Sequence, residues 1–120
     1  MQNTIDAKIL HSYSKNMGEN ASEMLAELIQ CYLEEAPKLL QSMSTAATTK
    51  EATQLQRAAH TLKGNSAGIG ATNLANLCKE LEAMCRADTI AGASEKFLQI
   101  EVEYEQVKAA LQMEYQRCQA

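Results

Sequence analysis

The chain has 120 residues, 46% hydrophobic and 22% charged, which is the balance of one soluble globular domain and not of a disordered segment. Lys plus Arg number 11 and Asp plus Glu 15, for a net charge of −4, which argues against nucleic-acid or anionic-membrane binding. One Pro and five Gly are few breakers for this length, so long helices are expected. No apolar run approaches the roughly 20 residues of a membrane span. The start, MQNTIDAKIL, lacks the basic and apolar regions of a signal peptide, and a cytoplasmic location is expected.

Residues 4 to 11 suggest a short helix, with Thr4 as its cap and Ile5, Ile9 and Leu10 facing inward. The polar stretch after it contains Gly18 and reads as a connection. A second helix starts near Asn20 or Ser22, either of which can cap it, with Glu23 in its positive first turn. Its apolar positions are Met24, Leu25, Leu28, Cys31, Tyr32, Leu39, Leu40 and Met43, and Pro37 should kink it without ending it. The Ser- and Thr-rich run over 42–51 suits a turn. A third helix is expected from about Thr49 to Gly68, with Leu55, Ala58, Ala59, Leu62 and Ser66 as its core stripe and Gly68 and Gly70 as its stop. Thr72 can cap a fourth helix carrying Leu74, Leu77, Cys78, Leu81, Met84 and Cys85 inward. The segment 87–94 ends it, and Asp88 and Thr89 are helix-start residues. The last helix shows Phe97, Ile100, Tyr104, Val107, Leu111 and Cys118 at three and four spacing. Short connections between four main helices predict an all-α, antiparallel up-down-up-down four-helix bundle with a short N-terminal helix, a single domain over 1–120.

The cysteines Cys31, Cys78, Cys85 and Cys118 contain no C-x-x-C and read as reduced, small core hydrophobes. His11 and His60 are the two histidines, and no Glu-x-x-His pair exists, so a metal-binding bundle is not expected. His11 reads as a solvated residue near a helix end.

His60 falls off the core stripe. On a wheel with Leu55 at zero it lies near ~140°, while the apolar residues cluster within roughly 60°. The simplest reading is a solvated surface histidine. Two neighbours point further. Gly64 stands one turn on, where a mid-helix glycine costs about 0.5–1 kcal/mol relative to Ala and serves close approach to the backbone. Lys63 stands at i+3, where an ammonium can offset charge carried by the imidazole. An imidazole with an ordinary pKa of about 6.5 is largely neutral at pH 7 and keeps a lone pair for in-line attack on a phosphoryl donor.

The run His60-Thr61-Leu62-Lys63-Gly64-Asn65-Ser66, followed by Gly68-Ile69-Gly70-Ala71 and Leu74, resembles the histidine-containing phosphotransfer (HPt) domain family. The resemblance covers nearly the whole chain, since that fold is itself a four-helix bundle. It implies that His60 is phosphorylated on Nε2, that Lys63 contacts the phosphoryl group and that Gly64 leaves room for it. It places Glu82 where a polar residue orients the ring through its other nitrogen. The alternative for Glu82 is a rung in a surface salt-bridge ladder with Lys79 and Arg86. Asn65 stands where the family often has a smaller residue.

The resemblance also implies a function. Such a protein has no autonomous kinase activity. It takes a phosphoryl group from a receiver-domain aspartate and passes it to another receiver, with a hybrid sensor histidine kinase upstream. It needs no cofactor of its own, the receiver bringing Mg²⁺. Gln56, Ala67, Ile69, Lys79 and Arg86 are the expected partner contacts, with Ile9, Leu10 and Leu74 as further candidates whose other reading is core. A monomer is expected, and a chain running from Met1 to Ala120 suits a free-standing shuttle. Rival readings are an HPt-like adaptor that transfers nothing, the phosphoacceptor domain of a chemotaxis-type kinase, and the dimerisation domain of a sensor kinase. The last would need an acidic residue where Thr61 stands.

Overall fold

The computed structural model describes residues 4–10, 12, 20–87 and 90–119. Gly18, His11, Asp88 and Thr89 lie outside them. The described elements are a short helical segment α1 at residues 7–10, then α2 (Ala21–Thr48), α3 (Ala52–Gly68) and α4 (Thr72–Arg86), and, after a 3₁₀ turn at Ile90–Gly92, α5 (Ala93–Gln119). Each long helix packs on its neighbours in the order α2, α3, α4, α5 and back to α2, so α3 and α5 stand on one diagonal. This is the expected bundle. Among the described residues there is no strand, and no helix is long and apolar enough to cross a membrane.

The core stripe of α3 is buried as expected: Leu55, Ala59, Leu62 and Ser66 are fully enclosed, with Ala58 beside them. Leu74, Cys78, Leu81 and Cys85 of α4 and Phe97, Ile100, Tyr104, Val107 and Leu111 of α5 complete it. Cys118 is half-buried. All four cysteines are free, but Cys31 is exposed and is not a core residue. In α2 the buried line is Leu25, Ala26, Ile29, Tyr32, Ala36, Met43 and Ala46. Met24 and Leu28, expected inward, face out. The small Ala26 and Ala36 take positions in the stripe that a search for large apolar residues skips, and this rotates the true core line.

Helix α2 runs through Pro37, which is exposed, and continues past the expected turn to Thr48. Burial of Met43 and Ala46 carries it on, while Thr48 and Thr49 return hydroxyl hydrogen bonds to the carbonyls of Ser44 and Thr45. Both α2 and α3 then end by one device. Glu51 N–H reaches back to Ala46 O (2.9 Å) around Lys50, and Ala71 N–H reaches back to Ser66 O (2.8 Å) around Gly70. Lys50 and Gly70 take the left-handed conformation, at φ 58° and 89°, that such a terminator requires. The left-handed stop after α3 is therefore Gly70 and not Gly68, which is the last helical residue. The side-chain caps also differ from expectation. Asp6 Oδ1, and not Thr4, accepts the Lys8 N–H at 2.9 Å. Asn20 precedes α2 without a side-chain cap bond, and Thr72 lies inside α4, whose flanking residue is Ala71.

Gly70 also locks α1 to the bundle. Its carbonyl accepts the Asp6 N–H at 2.7 Å, and a Cβ there would stand 2.9 Å from Asp6 O. Gly70→Ala is expected to lower unfolding stability by at least about 1–2 kcal/mol, the cost of a left-handed non-glycine residue. Amide exchange at Asp6 should rise with it. Unchanged protection at Asp6 would show that the contact does not hold α1.

Candidate functional site

The middle of α3 turns His60 out of the bundle, with its side chain 66% exposed. The core-facing residues on either side, Ala59 and Leu62, are fully buried and fix the rotation of the helix. One helix over, Glu82 projects from α4 beside Leu81 and one turn beyond Cys78, and is 4% exposed. It is thus a buried residue and not a rung in a surface ladder.

Glu82 gathers three basic side chains. Lys63 Nζ donates to Oε1 at 2.8 Å, His60 Nδ1 lies 3.0 Å from Oε2, and Arg86 Nη2 lies 3.2 Å from the same oxygen. Lys79 is exposed on the outer face of α4. The Lys63 hydrogen bond holds the Glu82 carboxyl below its usual range, outweighing the upward push of burial, and His60 adds to the lowering. Glu82 is therefore ionised at neutral pH and accepts only. The hydrogen at Nδ1 then belongs to His60, and Nε2 is the bare nitrogen of the neutral ring. The four side chains together leave one net positive charge at the site. The two nearby thiols are silent, because burial pushes Cys78 up to about 12 and raises Cys85 as well.

Gly64 lies one turn from His60. An added Cβ would meet nothing within 4 Å among the described residues, so internal packing does not require glycine there. The same holds for Gly68. These two glycines, with Asn65 and Ile69, form one wall of a groove of about 340 Å³ whose other wall is Leu28, Cys31, Tyr32 and Glu35 of α2. The Tyr32 hydroxyl shares a buried 2.8 Å hydrogen bond with Ser66 and ties the two walls together. On the other side of His60 a shallow depression is lined by Thr53, Gln56, Arg57, Thr61 and Glu82.

The expected site residues divide clearly. His60, Lys63 and Glu82 meet, Gly64 opens the surface beside them, and Arg86 joins the carboxylate. Gln56 borders His60, and Ala67 and Lys79 are exposed. Leu10 and Leu74, at 1% and 0% exposure, are core and cannot offer a contact face; Ile69 is buried at 2% yet lines the groove, and Ile9 is half-buried. Sequence reasoning missed the α2 wall: Leu28, Cys31 and Glu35, with Met24 one turn earlier. The spacing of Met24, Leu28 and Cys31 on one side of α2 is the available signal, and in the sequence it reads as core.

Residues 27–110 match the family model of the Hpt domain. The chain belongs to the Hpt domain family. It is 27% identical to histidine-containing phosphotransfer protein 2 of Arabidopsis thaliana over 101 residues, covering 82% of this chain and 65% of that protein. The chain thus spans just under two thirds of the length of the curated relatives it matches. Among solved structures, histidine-containing phosphotransfer protein B from Pseudomonas aeruginosa is 28% identical, with a TM-score of 0.88 and 98% of both chains covered. A histidine-containing phosphotransfer protein from maize, at 17% identity, shares the fold with a TM-score of 0.82, covering 95% of this chain and 88% of its own.

In this Hpt fold the Glu82 cluster has a pH signature. A carboxyl with a lowered folded-state pKa stabilises the protein above its ordinary value of 4.5, and that contribution is lost as pH falls below it. Glu82→Gln is expected to lower unfolding free energy at pH 7 by about 1–3 kcal/mol. The gap to the unaltered protein should narrow as pH drops from 4.5 towards 3 in urea titrations. A gap that does not change with pH would contradict an ionised Glu82.

Proposed function

We propose that this chain is a phosphocarrier of a two-component phosphorelay, in which His60 takes a phosphoryl group from an aspartyl phosphate on one receiver domain and gives it to an aspartate on another. The observation that carries the reading is the exposed imidazole whose Nδ1 is held by an ionised, buried Glu82 while Nε2 stays bare.

In the proposed step the Nε2 lone pair attacks phosphorus in line, the bond from phosphorus to the aspartyl oxygen breaks, and the carboxylate departs with the electron pair. No proton needs to leave, because Nδ1 keeps its hydrogen and Glu82 balances the positive ring that forms. Lys63 stands at i+3 from His60, close enough to turn from Glu82 to the phosphoryl oxygens. The onward transfer is the reverse of this step on a second receiver. Nothing in this chemistry demands kinase activity of the chain, and the receiver would bring the Mg²⁺ that the transfer uses. The Gly64 and Gly68 strip and the α2 wall supply a shallow, partly apolar seat for the receiver beside the nitrogen.

Incubation with a phosphorylated receiver domain and Mg²⁺ is expected to give an acid-labile, alkali-stable phosphoprotein. His60→Gln should abolish the label at unchanged helical circular dichroism, and label that persists would overturn the assignment. Lys63→Ala should slow transfer without unfolding the chain. Gly64→Gln separates access from stability: it should raise stability by about 0.5–1 kcal/mol and still lower the transfer rate. A transfer rate unchanged by Gly64→Gln would remove the access role.

A further inference from the structure

The outer face of α5 carries features that the phosphoryl site does not use. Leu98, Val102 and Met113 are 60%, 64% and 60% exposed, and Ala109 is exposed between them. At about 100° per residue all four fall within about 60° of one another, in a stripe that runs for roughly 22 Å along the helix. Single exposed apolar residues are ordinary, but these four recur at steps of four, seven and four, in register with a helix that packs on another helix, with Glu105 standing in the intervening step. Of the other large exposed hydrophobics among the described residues, Leu28 lines the groove beside His60 and Met24 lies one turn earlier on α2.

The charges around this stripe are mostly negative. Glu95, Glu101 and Glu105 lie within about 60° of Leu98 and are exposed. One cation, the half-buried Lys108, borders Glu101 and Glu105 at its edge, and the others of α5 are placed elsewhere. Lys96 reaches across to Glu80 of α4 at 2.6 Å, and Arg117 pairs with Glu114 at 2.9 Å. A second copy of the chain fits this pattern poorly. A parallel pair would set the three carboxylates against their own counterparts, and an antiparallel pair would bring two Glu105 residues together near its centre.

We propose that the outer face of α5 docks a basic amphipathic helix of a partner protein, with Leu98, Val102, Ala109 and Met113 as the apolar seam and Glu95, Glu101 and Glu105 pairing with its Lys or Arg residues. Because α5 stands diagonally across the bundle from α3, this partner and a partner at His60 bind without competing for surface. Docking at α5 does not depend on phosphoryl transfer.

The test is an NMR titration of the ¹⁵N-labelled full chain with a synthetic three-heptad helical peptide carrying Leu at its seam and Lys at its flanks. A second peptide with Glu at the flanks is the control. Saturable shifts centred on 98, 102, 105, 109 and 113 are expected with the lysine peptide only. They should weaken by about tenfold or more between low and high salt, and vanish in the Leu98→Lys, Val102→Lys double variant. Both substitutions are at exposed positions, and circular dichroism should be unchanged. Equal binding of both peptides, shifts centred on the Gly64–Gly68 groove, no saturable shift, or self-association through Leu98 in sedimentation would each overturn the proposal.

Discussion

A buried carboxylate organises this molecule's chemistry. Glu82 sits at the seam between α3 and α4, almost wholly removed from water, where an unpaired charge would cost several kcal/mol. It is tolerable there because two hydrogen bonds and an ion pair converge on its two oxygens: Lys63 on one, His60 and the Arg86 guanidinium on the other. The same pairing that stabilises the charge decides the state of the histidine. An ionised acceptor can only receive a hydrogen, so the ring presents its bare nitrogen to the outside.

The rest of the bundle serves to hold that geometry. His60 and Lys63 share one face of α3, whose rotation is fixed by Leu55, Ala59 and Leu62 in the core. Glu82 sits next to Leu81 and one turn beyond Cys78 on α4, so core packing fixes it as well. The two helices are joined by the tight stop at Gly70, whose carbonyl also anchors the N-terminal segment through Asp6. Tyr32 and Ser66 tie α2 to α3 by a buried hydroxyl pair. Against this rigid background Gly64 and Gly68 are open ground, where an added Cβ would meet nothing within 4 Å among the described residues. A helix with glycine where alanine would fit keeps access open and gives up stability.

Much of this was legible in the sequence, for a physical reason. Helical periodicity reports which way a stiff element faces, and it placed Leu55, Leu62, Cys78 and Val107 inward and His60 outward. It failed where small residues carry burial. Ala26 and Ala36 occupy the true core line of α2, and giving their places to Met24, Leu28 and Cys31 hid one wall of the groove. Local propensity misled at Ser42–Thr48, where burial of Met43 and Ala46 outweighs a weak helix-forming composition. Glu82 was found by its place in the motif, but its charge suggested a surface residue. Its position beside Leu81 and a turn from both Cys78 and Arg86 marks it as a border residue, and only the packed structure shows Lys63 crossing from α3 to meet it. The contact face failed at Leu10 and Leu74 for the converse reason: apolar residues near a functional motif are as useful to the core as to a partner.

The measurement closest to the central claim is ¹⁵N NMR of the His60 ring in the unphosphorylated chain at pH 8. The arrangement around Glu82 requires a protonated Nδ1 and a bare Nε2, with the Nδ1 resonance displaced when Glu82 is replaced by leucine. A ring protonated at Nε2, or a mixture of tautomers that is unchanged when Glu82 is replaced, would contradict it.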